Sequence, residues 1–360
     1  MNAYPEQQLL VAPAGPGAPP VFGLDHYVPI VKTLPGELQA FTRAGPGIRD
    51  RVTPLVEVAN KRGESAEVSP TSPLSRIGSS LMDALGTDHF FFLDFNDALN
   101  AKVVARVLED CASHALRFIP VVTPTAIKRL KLLAATGFAN GVCLRVRLSD
   151  ARPSGSTLTD QLEDIVDRLG LNTNSADLVL DMELIPQEPR FSVADLRRQI
   201  EELRDPSRWR NLVLLGTSIP SSLAGFPLDT ITALVRHEWR FHRDLRRLDL
   251  PRQPTYGDYL VQAPPRPTIR QGARPFGNLR YTVGDSILIA RGHNVTPRDY
   301  AQYRDLCLAI ASHAAFRGKL FSWGDNQIAE FAAGGQPPLG QEHWRAVGTS
   351  HHIQEILETV

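Results

Sequence analysis

Eight short runs rich in Val, Ile, Leu and Phe, each followed by a segment long enough for a helix, most constrain how this chain of 360 residues folds. They fall at 27–32, 53–59, 90–95, 118–123, 142–148, 178–183, 212–217 and 256–261. FFFLDF and DLVLDME are near-continuous apolar stretches without strict alternation, as parallel strands covered on both faces read. Repeated βα alternation builds a parallel sheet, and eight strands are the number that closes a barrel. The expected fold is an α/β, TIM-barrel-like (β/α)8 structure, with an open doubly wound sheet as the alternative. Helices are expected at 35–43, 75–85, 99–115, 125–135, 157–169, 192–203 and 221–248. Several open on Ser or Thr, the usual N-cap chemistry.

The chain divides into a flexible tail (1–25), the barrel (26–262) and a C-terminal hairpin and helical extension packed on the barrel (263–360). The tail lacks the basic start and apolar stretch of an export signal. No apolar run approaches the ~18 residues needed to cross a bilayer. With 39 basic against 39 acidic residues, no net field draws a polyanion, so a nucleic-acid partner requires a local basic patch. Cys111, Cys143 and Cys307 are odd in number and far apart, which fits reduced, buried thiols in a cytoplasmic protein.

Functional groups of a parallel barrel sit at the C-terminal ends of its strands. There the sequence places Lys32, Glu57, Asp94 with Asn96, Thr123, Arg145 with Arg147, Asp181 with Glu183, Thr217 with Ser218, and Asp258. Glu57, Asp94, Asp181 and Glu183 are candidate catalytic acids that can hold a divalent cation through oxygen ligands, with Lys32, Arg145 and Arg147 binding an anionic substrate. The competing reading pairs these acids with Lys32, Arg145 and Arg147 inside the barrel, where a lone charge is costly. Alternation puts Arg145 with Arg147 on one face, and Asp181 with Glu183 on one face.

The C-terminal third carries RYT at 280–282, RG at 291–292, QY at 302–303, WGDNQI at 323–328 and WRAVGTSHHI at 344–353. Together with YVPIVK (27–32), GE (36–37) and TPLVEV (53–58), these motifs resemble the beta family of bacteria and phages over nearly the whole chain after the tail. The resemblance implies no reaction and assigns no catalytic residue. It implies a role in phage–host conflict, whether in anti-phage defence or phage-encoded.

The motif residues themselves allow two uses each. His351 and His352 diverge by ~100° on a helix and do not easily chelate one metal. His352 is a candidate acid or base, unless one histidine packs and the other is solvated. Asp325 or Asn326 is expected to cap a helix. Arg280, Tyr281 and Arg345 are candidate substrate contacts, and Trp344 either stacks on a base or anchors the extension. HEWRFHRDLRR (237–247) lacks the zinc spacing and reads as a solvated barrel helix, or as a basic helix for nucleic acid. Two functions remain open: a binding or effector component that meets a partner protein or phage component, and a metal-dependent phosphodiesterase or nuclease-like hydrolase at the barrel mouth.

Overall fold

The apolar runs close into a barrel of parallel strands, β1 (Tyr27–Lys32), β2 (Leu55–Glu57), β3 (Phe90–Asp94), β4 (Arg117–Val122), β5 (Val142–Arg147), β6 (Ala176–Leu184) and β7 (Asn211–Thr217). The eighth barrel strand is β9 (Thr255–Asp258), which pairs with β7 and with β1, whereas β8 (Thr230–Val235) lies outside the ring. The computed structural model describes residues 17–44, 46–48, 50–59, 73–95, 100–124, 138–149, 157–264, 276–294, 300–336 and 340–360. The open doubly wound alternative is thereby excluded.

Successive strand side chains point to opposite faces, so each strand feeds two cores. Val28, Ile30, Leu55, Phe92, Ile119, Val179 and Val213 fill the barrel interior. Tyr27, Val56, Phe91, Leu144 and Leu178 face the surrounding helices α1 (Pro35–Arg43), α2 (Ile77–Leu85), α3 (Ala101–Ser113), α4 (Leu158–Arg168) and α5 (Val193–Glu201). Capping boxes open α4 (Thr157 with Asp160) and α5 (Ser192 with Asp195), and Asn100 caps α3. The expected helix at 125–135 and the tail up to residue 16 lie outside the described residues. The last part of that tail closes the barrel floor: the Phe22 amide donates to Asn211 Oδ1 at 2.7 Å, and Asn211 Nδ2 donates to the Pro20 carbonyl at 3.0 Å.

The segment 221–248 is not one helix. TITALV has the β-branched character of a strand and forms β8, and only His237–Leu245 is helical, as α6. Nor is α6 a solvated helix, because Glu238, Trp239, Phe241 and His242 on it are buried. Strand β8 joins the expected hairpin, β10 (Phe276–Val283) and β11 (Ser286–Asn294), in a three-stranded antiparallel sheet with β11 central. Among the described residues three further helices follow, α7 (Gln302–Ala311), α8 (Trp323–Ala332) and α9 (Gln341–Thr359). Asp325 does not cap α8. Ser322 does, and Asp325 at the third helical position accepts the Ser322 hydroxyl at 2.6 Å.

Ile353 and Ile356 of α9 join the layer between strands and helices, and the helix packs against α1. The chain thus leaves the barrel after β9, builds the sheet with α7 and α8, and returns as the helix that follows the last strand. Two glycines permit the return. A Cβ on Gly36 would lie 2.3 Å from the Glu342 carbonyl oxygen, and one on Gly348 would lie 2.9 Å from that of Arg280. Among the described residues no helix is long and apolar enough to cross a membrane, and the three cysteines are buried and unpaired.

Gly36→Ala should lower stability by about 1–3 kcal/mol, since the added methyl meets backbone that cannot rotate away. Denaturant unfolding measures this, and an unchanged midpoint would show that α9 is free to shift. His26 and His242 are also buried, and burial lowers both imidazoles to about 4. The unfolded chain takes up a proton at each below about pH 6.5. Their contribution to stability is therefore intact above that pH and is lost as the pH falls toward about 4. Melting temperature should drop across this window, and less steeply in His242→Gln, whose amide can keep the bond to the Pro254 carbonyl. Equal slopes in both proteins would remove His242 from the account.

Candidate functional site

Lys32, Glu57 and Asp94 stand in one lateral row, as register partners on β1, β2 and β3. Across the mouth from the two acids, Arg145 rises from β5 between them and Asp181 of β6, and is 1% exposed. Its Nη1 donates to Glu57 Oε1 and Asp94 Oδ2, each at 2.7 Å. Its Nε and Nη2 donate to Asp181 Oδ2 at 3.0 and 2.7 Å, and Nη2 also reaches Tyr259 OH at 2.8 Å. The Tyr259 hydroxyl in turn donates to Asp181 Oδ2 at 2.7 Å.

Burial works against the charged guanidinium, but Tyr259 and the carboxylates of Asp181, Glu57 and Asp94 more than offset it and hold Arg145 well above its ordinary value. Burial, followed by the Asp181 charge, raises the Tyr259 phenol, which keeps it a donor. The acids are spread around a guanidinium that occupies the space a shared cation would need. Among the described residues no three His, Cys, Asp or Glu side chains are placed to hold a metal ion. The four expected acids therefore do not converge as a metal centre.

Glu183 stays apart from Asp181 despite the alternation expected of a strand. The β6 ladder shifts register between Asp181 and Leu184, and Glu183 takes a left-handed backbone with φ of 54°. Asp181 Oδ1 holds that turn by accepting the Glu183 amide at 2.8 Å. Glu183 pairs at the rim with Arg147 at 3.7 Å and with Ser149. The end of β9 repeats the device, since Asp258 Oδ1 accepts the amide of Leu260, whose φ is 55°.

Asp258, expected at the mouth, faces outward from the barrel, and its neighbour Tyr259 takes the inward position. The parity of β9 could have shown this, because strand neighbours alternate. Outside the ring Asp258 accepts from Tyr27 OH at 2.5 Å and from Tyr256 OH at 2.8 Å. His352 Nε2 meets Asp258 Oδ2 at 2.8 Å, and its Nδ1 lies 2.7 Å from Thr282 Oγ1. Burial lowers His352, while His352 is among the groups that draw Asp258 below its ordinary value against burial. A neutral ring donating to an ionised Asp258 and accepting from Thr282 satisfies all three groups.

Arg236, at the foot of α6, is fully buried beside this cluster and donates to Tyr256 OH at 2.9 Å and to the Gly284 carbonyl at 2.7 Å. His351 points to a neighbouring side of α9. Its Nδ1 lies 2.8 Å from Asp325 Oδ2, its Nε2 lies 2.7 Å from the Thr282 carbonyl, and its ring stacks on Tyr281 at 3.6 Å. Neither histidine is solvated, and Tyr281 and His352 lie within the fold. Trp344 is likewise buried, stacked on Tyr303 at 4.2 Å. Lys32 and Arg345 act instead on the buried Glu37 of the GE motif at the junction of barrel and C-terminal sheet, where the charge of Arg345 also acts on Arg280.

A family model described as Beta protein matches residues 27–358. No curated protein matches the chain. Among solved structures it is similar to a dihydrodipicolinate synthase family protein from Coccidioides immitis, at 10% identity and a TM-score of 0.31, covering 55% of this chain and 62% of that one. The chain thus spans less than two thirds of that protein, and the barrel rests on its own hydrogen-bonded ladder.

Arg145→Met should destabilise the protein by about 3–5 kcal/mol, because it strands three buried carboxylates. The loss should shrink as the pH is lowered and those carboxylates take up protons, which urea unfolding at several pH values would reveal. A small loss that does not vary with pH would mean that water already balances the acids.

Proposed function

We propose, on the premise that this chain belongs to the Beta protein family, that it acts by binding and not by turning over a substrate at the barrel mouth, as a binding or effector component in phage–host conflict. The observation that carries this reading is Arg145. Its five hydrogen bonds engage Glu57, Asp94, Asp181 and Tyr259, the groups a hydrolase would use there. A carboxylate bound to a buried guanidinium is a poor general base, since releasing it leaves an unpaired charge in a low dielectric. The setting follows from the motif resemblance to proteins of bacteria and phages. The partner in this reading is a protein or phage component, met by the rim and the C-terminal sheet.

The purified protein should leave single- and double-stranded DNA, RNA and an activated phosphodiester intact in magnesium or manganese. Host cells expressing it should differ from the empty host in phage plating. Metal-dependent turnover that disappears in Asp181→Asn or Glu57→Gln, with the variant still folded, would replace this reading with the hydrolase.

A further inference from the structure

Three cations meet where the end of β1 faces the C-terminal sheet, and among the described residues none has a carboxylate in hydrogen-bond contact. Lys32 Nζ donates to the Ala263 carbonyl at 3.0 Å. Arg280 donates through Nε to Asn278 Oδ1 at 3.1 Å and through Nη1 to the Val261 carbonyl, so Lys32 and Arg280 reach the same stretch of backbone. Arg345 is half-buried on α9, between the close contacts of Glu342 with Gly36 and of Gly348 with the Arg280 carbonyl, and its charge acts on both Glu37 and Arg280. Burial and then the like charge of Arg345 lower Arg280 to about 10.

Glu37 lies among them, 1% exposed. Its Oε2 accepts the Lys32 amide at 2.6 Å, while its Oε1 is buried and has no partner. Burial raises its carboxyl, with Lys32 and Arg345 acting against that rise. Packing enforces the arrangement, since Gly348 brings α9 against the Arg280 carbonyl and Gly36 brings α1 against Glu342. Two neighbouring guanidiniums and a lysine beside a single carboxylate leave an excess of positive charge, which an anion offsets.

We propose that Lys32, Arg280 and Arg345 bind the phosphate group of a small phosphomonoester, with one proton held between Glu37 Oε1 and the nearest phosphate oxygen. The site deepens the binding reading by naming a ligand class for the rim, and it shares no hydrogen bond with the Arg145 network. Phosphate oxygens match the donor geometry of paired guanidiniums and a lysine. The shared proton gives Glu37 Oε1 the partner it lacks.

The test is thermal unfolding and titration calorimetry of the full chain with inorganic phosphate, adenosine 5′-monophosphate and sulfate. Phosphate at ten times its dissociation constant should raise the melting temperature by about 2 °C. Tighter binding of the nucleotide would identify the source as an organic monoester, and equal binding would identify it as free phosphate. Arg345→Met should weaken binding about tenfold or more while the variant stays folded, its unliganded melting temperature lowered only slightly by the lost attraction to Glu37. Lys32→Met should weaken binding similarly, and Glu37→Gln, whose amide supplies a donor, should bind sulfate as well as phosphate. No shift with either phosphate compound, or a shift that survives in Arg345→Met, overturns the proposal. Turnover lost in Asp181→Asn would defeat the binding reading alone and leave this site standing, so the two failures are distinguishable.

Discussion

A guanidinium buried in a barrel mouth has to be satisfied on every donor, and the strand ends of this protein are arranged around that demand. Arg145 is held by carboxylates from β2, β3 and β6 and by a phenol next to β9, so one side chain ties together strands on opposite sides of the ring. Such a network adds little net stability compared with an apolar plug, because desolvating the charges offsets their attraction. Its physical effect is specificity. A register that brings Glu57 level with Asp94, and Arg145 within reach of both, leaves none of these charges unpaired.

The same logic extends outward through β9. Strand neighbours point to opposite faces, so Tyr259 serves the inner network and Asp258 serves the outer one, where it binds His352 of the final helix. His351 then faces Asp325 of α8, and both histidines also meet Thr282 of β10, His352 at its hydroxyl and His351 at its carbonyl, so α9 joins the barrel to the C-terminal sheet. The part of the chain read as an appendage is in this sense built into the barrel. Without α9, the outward charges of Asp258 and the apolar outer face of β1 would lose their cover.

Legibility in the sequence followed the range of the forces involved. The barrel strands were visible because burial on both faces writes itself locally as apolar runs, and most strand bounds agree with the expected ones within a residue or two. Strand β8 was hidden because its partner, β11, lies more than fifty residues away, and the run TITALV is bracketed by residues that also suit a helix. Asp258 was placed on the wrong face because parity was applied to Arg145 and Asp181 and not carried to β9. Glu183 was misplaced for a different reason, since the bulge that turns it depends on a side-chain bond from Asp181 that no spacing rule records.

What the sequence alone determined is the barrel class, the buried thiols, the candidate charges at the strand ends and membership of a motif family, all of which rest on local pattern. Only the tertiary structure decided that Arg145 unites three acids, that the two histidines take different acid partners, and that Lys32 and Arg345 act on a buried Glu37 beside Arg280. Each of those depends on residues from distant segments meeting in a low dielectric, where the pairing of a charge is settled by which neighbours packing brings within hydrogen-bond distance.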